Sequence, residues 1–140
     1  MKIIALDIGD VWTGTAISDA LGFFARPYQT TQTSELVPFL HELLHKETIQ
    51  KIVIGYPRTM KGTSSEQTKK VERAKILLEK EFPTKTFILW DERLSSKRAD
   101  ALKKGHTKED KIKSHSVAAA FILESYLQFA QLQKEEDLLI

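Results

Sequence analysis

Three short β-strand patterns follow one another at the start of the chain, and helix and strand patterns alternate from residue 34 onward. The three predicted strands cover residues 2–8, 13–18 and 23–25, and Pro27 is expected to end the third. Short strands joined by turns pair in antiparallel fashion, whereas strands separated by a helix pair in parallel. This order predicts an α/β fold with a mixed five-stranded sheet that carries helices on both faces.

With the later elements placed by hydrophobic periodicity, the whole chain has a β-β-β-α-β-α-β-α-α order. The predicted elements are a helix capped by Ser34, a strand at 51–55, a helix capped by Ser64 or Ser65, a strand at 86–90, a short helix near 96–104 and a last helix at 115–132. A polar, lysine-rich loop is expected to precede the last helix and to end near residue 113.

The composition excludes several classes of protein. A length of 140 residues suits one domain, predicted over residues 1–133 and followed by a charged C-terminal tail at 134–140. The net charge of +2 produces no strong field toward nucleic acid or membranes, so any nucleic-acid contact has to use a local basic patch. The chain has no cysteine and no apolar run near the roughly 20 residues of a membrane span, which favours a cytoplasmic location.

Carboxylates stand at the ends of the first and fifth predicted strands. Asp7 follows the first apolar run, and Asp91 and Glu92 follow the fifth strand directly. Ligands of α/β sheets bind beyond the carboxyl ends of the strands, and converging carboxylates there suit Mg²⁺ or Mn²⁺. Two such ions can activate a water for phosphodiester hydrolysis. The alternative is that these acids only cap the turns that follow.

Two basic segments are candidate phosphate-binding sites. Arg58 and Lys61 lie in a loop that leads into a helix N-terminus, where free amides favour anions. A simple turn with a helix cap is the alternative for this loop. The second segment, residues 97–113, is rich in lysine and includes Lys111 and Lys113. It either tracks phosphates, with binding that weakens steeply with salt, or forms an ordinary solvated surface.

Four segments of the chain, taken in order, resemble one protein family. They are Ala5-Leu6-Asp7-Ile8-Gly9 with Gly14 and Ser18-Asp19; Ile54-Gly55-Tyr56-Pro57 with Met60-Lys61-Gly62-Thr63 and Gln67; Asp91-Glu92-Arg93-Leu94-Ser95-Ser96; and the stretch from Ser116 to Leu127. Each motif is weak alone, but their order is specific and covers about residues 2–128. The chain resembles the YqgF (RuvX) family, described both as Holliday-junction-resolvase-like proteins and as nucleases for 5′-end processing of pre-16S rRNA.

The resemblance implies a ribonuclease H-like fold and a bacterial, cytoplasmic nuclease with an acidic centre that uses Mg²⁺ or Mn²⁺. On the matching positions, it implies that Asp7 and Glu92 are metal-binding catalytic carboxylates. Arg93, in the same motif as Glu92, would either neutralise phosphate or hold Glu92 in place. The implied partner is nucleic acid, either an rRNA precursor or branched DNA, and two active sites in a homodimer would suit a four-way junction.

The chain departs from the family pattern at two positions. The family usually has a third catalytic Asp where this chain has His115, which is expected to act as a third metal ligand or as an acid or base. Glu109 and Asp110, a few residues upstream, are candidates to restore the missing charge. The family also has a basic pair after its first Asp, where this chain has Val11-Trp12-Thr13. The change either removes a phosphate contact or leaves Trp12 to stack on a base or to pack into the core, which is the more common role of a lone tryptophan.

Two other classes of function stay open at this level. One is a nucleic-acid-binding protein that has lost catalysis through the change to His115. The other is a sugar-kinase-like or actin-like ATPase, which shares an opening strand with Asp and Gly but needs a much longer, two-lobed chain.

Overall fold

The computed structural model describes residues 1–56, 66–91 and 107–139, apart from the side chain of Lys111. Its strands are β1 (Lys2–Ile8), β2 (Trp12–Ser18), β3 (Ala25–Gln32), β4 (Ile49–Tyr56) and β5 (Thr86–Asp91). Its α-helices within these ranges are α1 (Leu36–Lys46), α2 (Glu66–Glu81) and α3 (Lys108–Leu138), and a 3₁₀ turn at Thr33–Glu35 precedes α1.

The five strands form one mixed sheet in the order β3-β2-β1-β4-β5. β1 pairs with β2, and β2 with β3, in antiparallel fashion, whereas β4 runs parallel to both β1 and β5. The predicted meander and the predicted mixed sheet are therefore confirmed. Because β1, β4 and β5 are parallel, their carboxyl ends meet at one edge of the sheet, where ligands of such folds bind.

Two apolar cores lie on opposite faces of this sheet, so helices cover both faces as predicted. Strand alternation sends Ile4 and Leu6 of β1 into a core that is shared with α1 and α2. Ala5, between them, belongs to a second core that is shared with α3. Asp7, two residues after Ala5, therefore lies on the face that α3 covers.

β3 extends through Pro27 to Gln32, so the predicted end of this strand before Pro27 is wrong. Two features of the sheet explain the difference. β3 is an edge strand, where a residue without an amide hydrogen is tolerated, and its register with β2 shifts between Thr15 and Ala16, beside Pro27. The position of the strand in the sheet, which the local sequence does not reveal, keeps Pro27 in the strand.

Asp19 holds the turn between β2 and β3. Its carboxylate accepts hydrogen bonds from the Phe23 and Phe24 amides at 2.9 and 2.8 Å. The bond from Phe24 and, more weakly, the bond from Phe23 hold the pKa of Asp19 below its usual value, because they stabilise the charged form. The turn is therefore expected to lose stability as the pH falls and this carboxylate takes up a proton.

α3 is longer at both ends than the predicted helix at 115–132. The lysine-rich segment from residue 108 to 113 is helical, so the predicted loop there is wrong. At its other end, the helix runs into the predicted tail at 134–140. His115 consequently lies in the third turn of the helix rather than at its start.

A capping box fixes the start of α3. The Thr107 hydroxyl accepts a hydrogen bond from the Asp110 amide, and the Asp110 carboxylate accepts one from the Thr107 amide. The spacing Thr-x-x-Asp is a recognised start signal, and it is visible in the sequence. The surrounding lysines nevertheless favour a loop on composition, because charged runs are also typical of loops.

α1 begins after the 3₁₀ turn, and the predicted Ser34 cap is wrong because no side-chain hydrogen bond caps this helix. Pro38 lies in the first turn of α1, where its missing amide hydrogen leaves no helical bond unmade. The predicted cap at Ser64 or Ser65 and the predicted short helix near 96–104 lie outside the described residues. Within the described ranges, no helix is both long and apolar enough to cross a membrane.

Candidate functional site

The structure brings Asp7 and His115 together at the sheet edge formed by the carboxyl ends of β1, β4 and β5. His115 Nδ1 lies 3.5 Å from Asp7 Oδ2, and the two side chains are only 24% and 21% exposed. Asp7 is the second-last residue of β1, and His115 projects from the third turn of α3, which packs on the same face. Two residues that are far apart in the chain thus form one partly buried polar pair.

Gly14 allows α3 to approach the sheet closely enough for this contact. It pairs with Asp7 across β1 and β2, and a Cβ atom at this position would overlap the carbonyl carbon and oxygen of His115. The backbone of α3 therefore rests directly on β2 beside Asp7. Any larger residue would push the helix outward and separate His115 from Asp7, so this glycine sets the geometry of the pair.

The ring nitrogen of His115 that faces Asp7 makes no hydrogen bond within the described residues. His115 Nδ1 is buried and has no hydrogen-bond partner among the described residues. An unpaired polar atom in such a place costs stability unless a further group binds it. Two ligands bound about 2.1 Å from one octahedral ion lie about 3 Å apart, which is close to the separation of this nitrogen and the Asp7 oxygen. An imidazole and a carboxylate at this spacing fit a divalent metal.

Further ligands for such a metal are not found in the described part of the chain. Within it, no group of three or more His, Asp or Glu side chains is placed to hold an ion. Glu92, the predicted second carboxylate, follows the end of β5 but lies outside the described residues, and the same holds for Arg58, Lys61 and Arg93.

Lys113, a predicted phosphate contact, does not lie beside Asp7. It is exposed, and it stands two positions before His115, which places it about 200° around α3 from that residue. Lys111 belongs to α3, but its side chain is not among those that the structure describes. Asp110, a candidate for the missing acid, is exposed and caps α3 instead.

The turn that follows Asp7 is tied to the rest of the fold by Thr33 and Gln67. Thr33 Oγ1 donates a hydrogen bond to the Gly9 carbonyl at 2.7 Å. Gln67, in the first turn of α2, donates from Nε2 to the Ile8 carbonyl at 3.0 Å. These bonds hold the backbone immediately after Asp7. The family motif includes Gln67 without assigning it a role, and no local sequence signal marks Thr33.

A lysine that the sequence patterns do not single out lies at the same turn. Lys70 Nζ is 2.8 Å from Asp10 Oδ1, and both side chains are largely exposed. An exposed ion pair adds little stability, and because Asp10 neutralises the lysine charge, the pair adds no net charge to this turn.

Comparison with known sequences places residues 1–129 in one family. The family model RuvX, described as Holliday junction resolvase, matches residues 1–129. Two relatives bear the name "Putative pre-16S rRNA nuclease". The protein from Rubrobacter xylanophilus is 36% identical over 128 residues, and the match covers 91% of this chain and 92% of the relative. The protein from Shouchella clausii is 38% identical over 135 residues and covers 91% and 94%.

Solved structures give the same fold. Thermus thermophilus RuvC in complex with a Holliday junction substrate matches with a TM-score of 0.61 at 14% identity, covering 94% of this chain and 96% of that one. A second structure of the same protein gives a TM-score of 0.58 at 16% identity, covering 95% and 97%. This likeness confirms the predicted ribonuclease H-like fold. Together with the sequence match, it shows that the chain belongs to the RuvX family of Holliday-junction-resolvase-like nucleases.

Proposed function

We propose that this protein is a divalent-metal-dependent nuclease whose centre comprises Asp7, Glu92 and His115. The observation that carries the proposal is the 3.5 Å approach of His115 Nδ1 to Asp7 Oδ2, with the nitrogen buried and unpaired among the described residues. A bound Mg²⁺ or Mn²⁺ would supply an activated water and would stabilise the charge that develops on the phosphate.

Each of the three residues has a separate part in this proposal. Asp7 provides the negative charge that fixes the metal at the sheet edge. His115 offers a neutral nitrogen ligand, or it holds a proton for the leaving oxygen. Glu92 is supported by its place in the chain after β5, whose carboxyl end shares this edge.

The proposed substrate is the precursor of 16S rRNA, in the cytoplasm. This choice rests on the names of the relatives and on the wide coverage of those matches. Cleavage of branched DNA by a homodimer is the second candidate, since the family description and the RuvC complex both name a Holliday junction.

A cleavage assay with purified protein separates these possibilities. A pre-16S rRNA fragment and a four-way DNA junction are incubated with Mg²⁺, Mn²⁺ or EDTA, and the products are resolved by length. We expect the RNA to be cut when Mg²⁺ or Mn²⁺ is present and to stay intact in EDTA. Cutting of the junction alone, by a protein that sediments as a dimer, would favour the resolvase. Binding without cutting of either substrate would contradict the nuclease proposal.

His115→Ala is expected to lower the cleavage rate about 100-fold or more and to raise the metal concentration needed for half-maximal rate. The reason is that one ligand or proton-transfer group is lost while the fold is kept. His41→Ala is the matched control, because His41 also faces a carboxylate, Glu81 at 3.1 Å, but lies on α1 on the other face of the sheet. Equal losses in the two variants would contradict the role of His115.

His115→Asp tests the alternative that this chain binds nucleic acid without cutting it. If the histidine is a working ligand, the aspartate variant should cut within about tenfold of the natural protein and should need less Mg²⁺, because it restores a negative charge. Cleavage that appears only in the aspartate variant would show instead that the natural chain is a binding protein. Cleavage rates of both proteins on the same RNA, measured at increasing Mg²⁺ concentrations, distinguish the two cases.

Gln67→Met is expected to lower the cleavage rate by up to about 100-fold, but the free energy of unfolding by only about 1 kcal/mol. Methionine keeps the side-chain length but cannot donate to the Ile8 carbonyl, and one such bond contributes about 1 kcal/mol. A displacement of Asp7 by about 1 Å costs up to about 100-fold in rate. Gln50→Met is the control, since Gln50 makes a similar bond to the Thr84 carbonyl at the opposite edge of the sheet. If the cleavage rate falls by the same factor in both variants, Gln67 does not position Asp7.

A further inference from the structure

We propose that Trp12 is the platform on which a nucleobase stacks beside the cleaved phosphate. The substrate would then be nucleic acid with an unpaired nucleotide at the cut. This inference rests on the proposed nuclease function, and it specifies the class of substrate that the same site accepts.

Trp12 lies on the same face of the sheet as Asp7. Gly14 touches the backbone of His115, and Ala16 belongs to the core shared with α3, so strand alternation puts Trp12 on this face as well. Asp7 pairs directly with Gly14, which makes Trp12 its diagonal neighbour on the adjacent strand. Such neighbours are about 7–8 Å apart, which is within reach of an aromatic side chain. A base attached to a phosphate at Asp7 would meet the indole.

Within the described part of the chain, Trp12 belongs to neither apolar core. Trp12 is half-buried, and the described residues provide no ring contact and no hydrogen bond for its side chain. Trp90 shows the contrast, because its indole donates to Ser125 Oγ at 3.1 Å and its ring lies 5.3 Å from that of Tyr126. A tryptophan in a core usually has such partners. Trp12 therefore behaves as a binding surface rather than a core residue.

The N-terminal end of α3 lies at the same end of the sheet as Trp12. α3 runs in the same direction as β2 above this face, since Gly14 lies under His115 and Gly22 lies near Leu127. The first turn of α3, with the exposed Lys108, Glu109 and Asp110, therefore extends toward the Trp12 end of the strand. These charges, and the Lys70–Asp10 pair at the turn after Asp7, nearly cancel, so the aromatic ring and not the local charge carries the proposal. Aromatic side chains on which bases stack are a usual element of sites that bind single strands.

Stacking on one tryptophan face selects for unpaired nucleotides. Every base has a face that can stack, so this contact is tolerant of sequence, but a base inside a duplex is already stacked on its neighbours. An enzyme that uses such a platform has to unpair a duplex base at a cost of a few kcal/mol, whereas a single-stranded base is available directly. The site should therefore favour single-stranded extensions over blunt duplexes.

The test measures binding by fluorescence anisotropy in the Asp7→Asn background, so that no RNA is cut. Three RNAs are compared: a blunt duplex, the same duplex with a single-stranded extension, and that extension with abasic nucleotides. We expect the protein to prefer the intact extension to the abasic one by roughly 5- to 150-fold. Trp12→Ala should remove this preference, and Trp12→Phe should keep most of it. Val11→Ala, at the exposed neighbouring position, should behave like the parent.

Each outcome decides the proposal. Loss of the preference in Trp12→Ala with retention in Trp12→Phe supports it, and the phenylalanine variant also guards against a simple loss of folding. A preference that survives in Trp12→Ala overturns it, and so does equal binding of intact and abasic extensions by the parent. If the preference depends on Trp12 but the natural protein cuts no RNA, only the nuclease proposal fails. If no RNA is bound, the stacking proposal fails, and the cleavage assay on the four-way junction decides the nuclease proposal separately.

Discussion

Asp7→Asn is expected to reduce cleavage about 10³-fold or more while leaving the fold intact. Asparagine has almost the same shape, but it removes the negative charge that would hold the metal beside His115, and such an ion contributes several kcal/mol of transition-state stabilisation. Asp7 is partly buried, and its carboxylate lies 3.5 Å from His115 Nδ1 without a hydrogen bond between them. The free energy of unfolding should therefore change by less than about 1 kcal/mol. Initial cleavage rates and chemical denaturation measure the two effects.

Asp10→Asn is the matched control for this experiment. Asp10 carries the same charge three residues later, but it is exposed and pairs with Lys70 rather than with His115. Its replacement should change the cleavage rate by only a few fold. An Asp7→Asn protein that folds and cuts at the natural rate would remove Asp7 from the mechanism.

Gly14→Ala is expected to destabilise this fold strongly, and by more than an alanine at Gly22 does. The new Cβ atom would overlap backbone atoms of His115, which cannot move aside as a side-chain end can. Overpacking of this kind costs about 3 kcal/mol or more, because α3 has to shift as a body. The same shift separates His115 from Asp7, so the cleavage rate should fall by a further factor of about 100 in the protein that remains folded. Thermal unfolding and rates per folded molecule measure these effects.

Gly22→Ala is the control that separates the effect of steric overlap on stability from the effect of backbone conformation. Gly22 has a φ of 75°, but its nearest neighbours lie 4.0 Å from an added Cβ atom. The expected cost is about 1–2 kcal/mol, which comes from the left-handed conformation alone. Cleavage should be unaffected, since this turn is at the far end of β2. A Gly14→Ala protein that is no less stable than Gly22→Ala would contradict the close approach of α3 to β2.

The sequence predicts the sheet well because its strands carry strong local signals. The apolar run before Asp7 and the runs in β4 and β5 mark buried strands, and their order determines the mixed topology. The end of β3 could not be predicted, because Pro27 is tolerated only at a sheet edge and beside a register shift. The start of α3 was predictable from Thr107 and Asp110, although the surrounding lysines favour a loop on composition alone.

The candidate site is only partly visible in the sequence. Asp7 stands out by its place after an apolar strand, whereas His115 is singled out only by the resemblance to a family that has Asp there. The contact of Gly14 with His115 cannot be predicted locally, because it depends on how α3 packs on β2. Gln67 acts through a bond to the Ile8 carbonyl, and a side chain bound to a distant backbone atom leaves no periodic signal.

The separation of Asp7 and His115 along the chain has a consequence for biosynthesis. The two residues stand more than a hundred positions apart, so their contact closes one of the longest loops in the molecule. Contacts of this range form late in folding, because the entropy of the intervening chain has to be lost first. During translation, β1 and β2 emerge long before α3 exists. If Asp7 and His115 form the centre as proposed, a growing chain carries no assembled centre, and cleavage has to wait until the last helix docks onto Gly14.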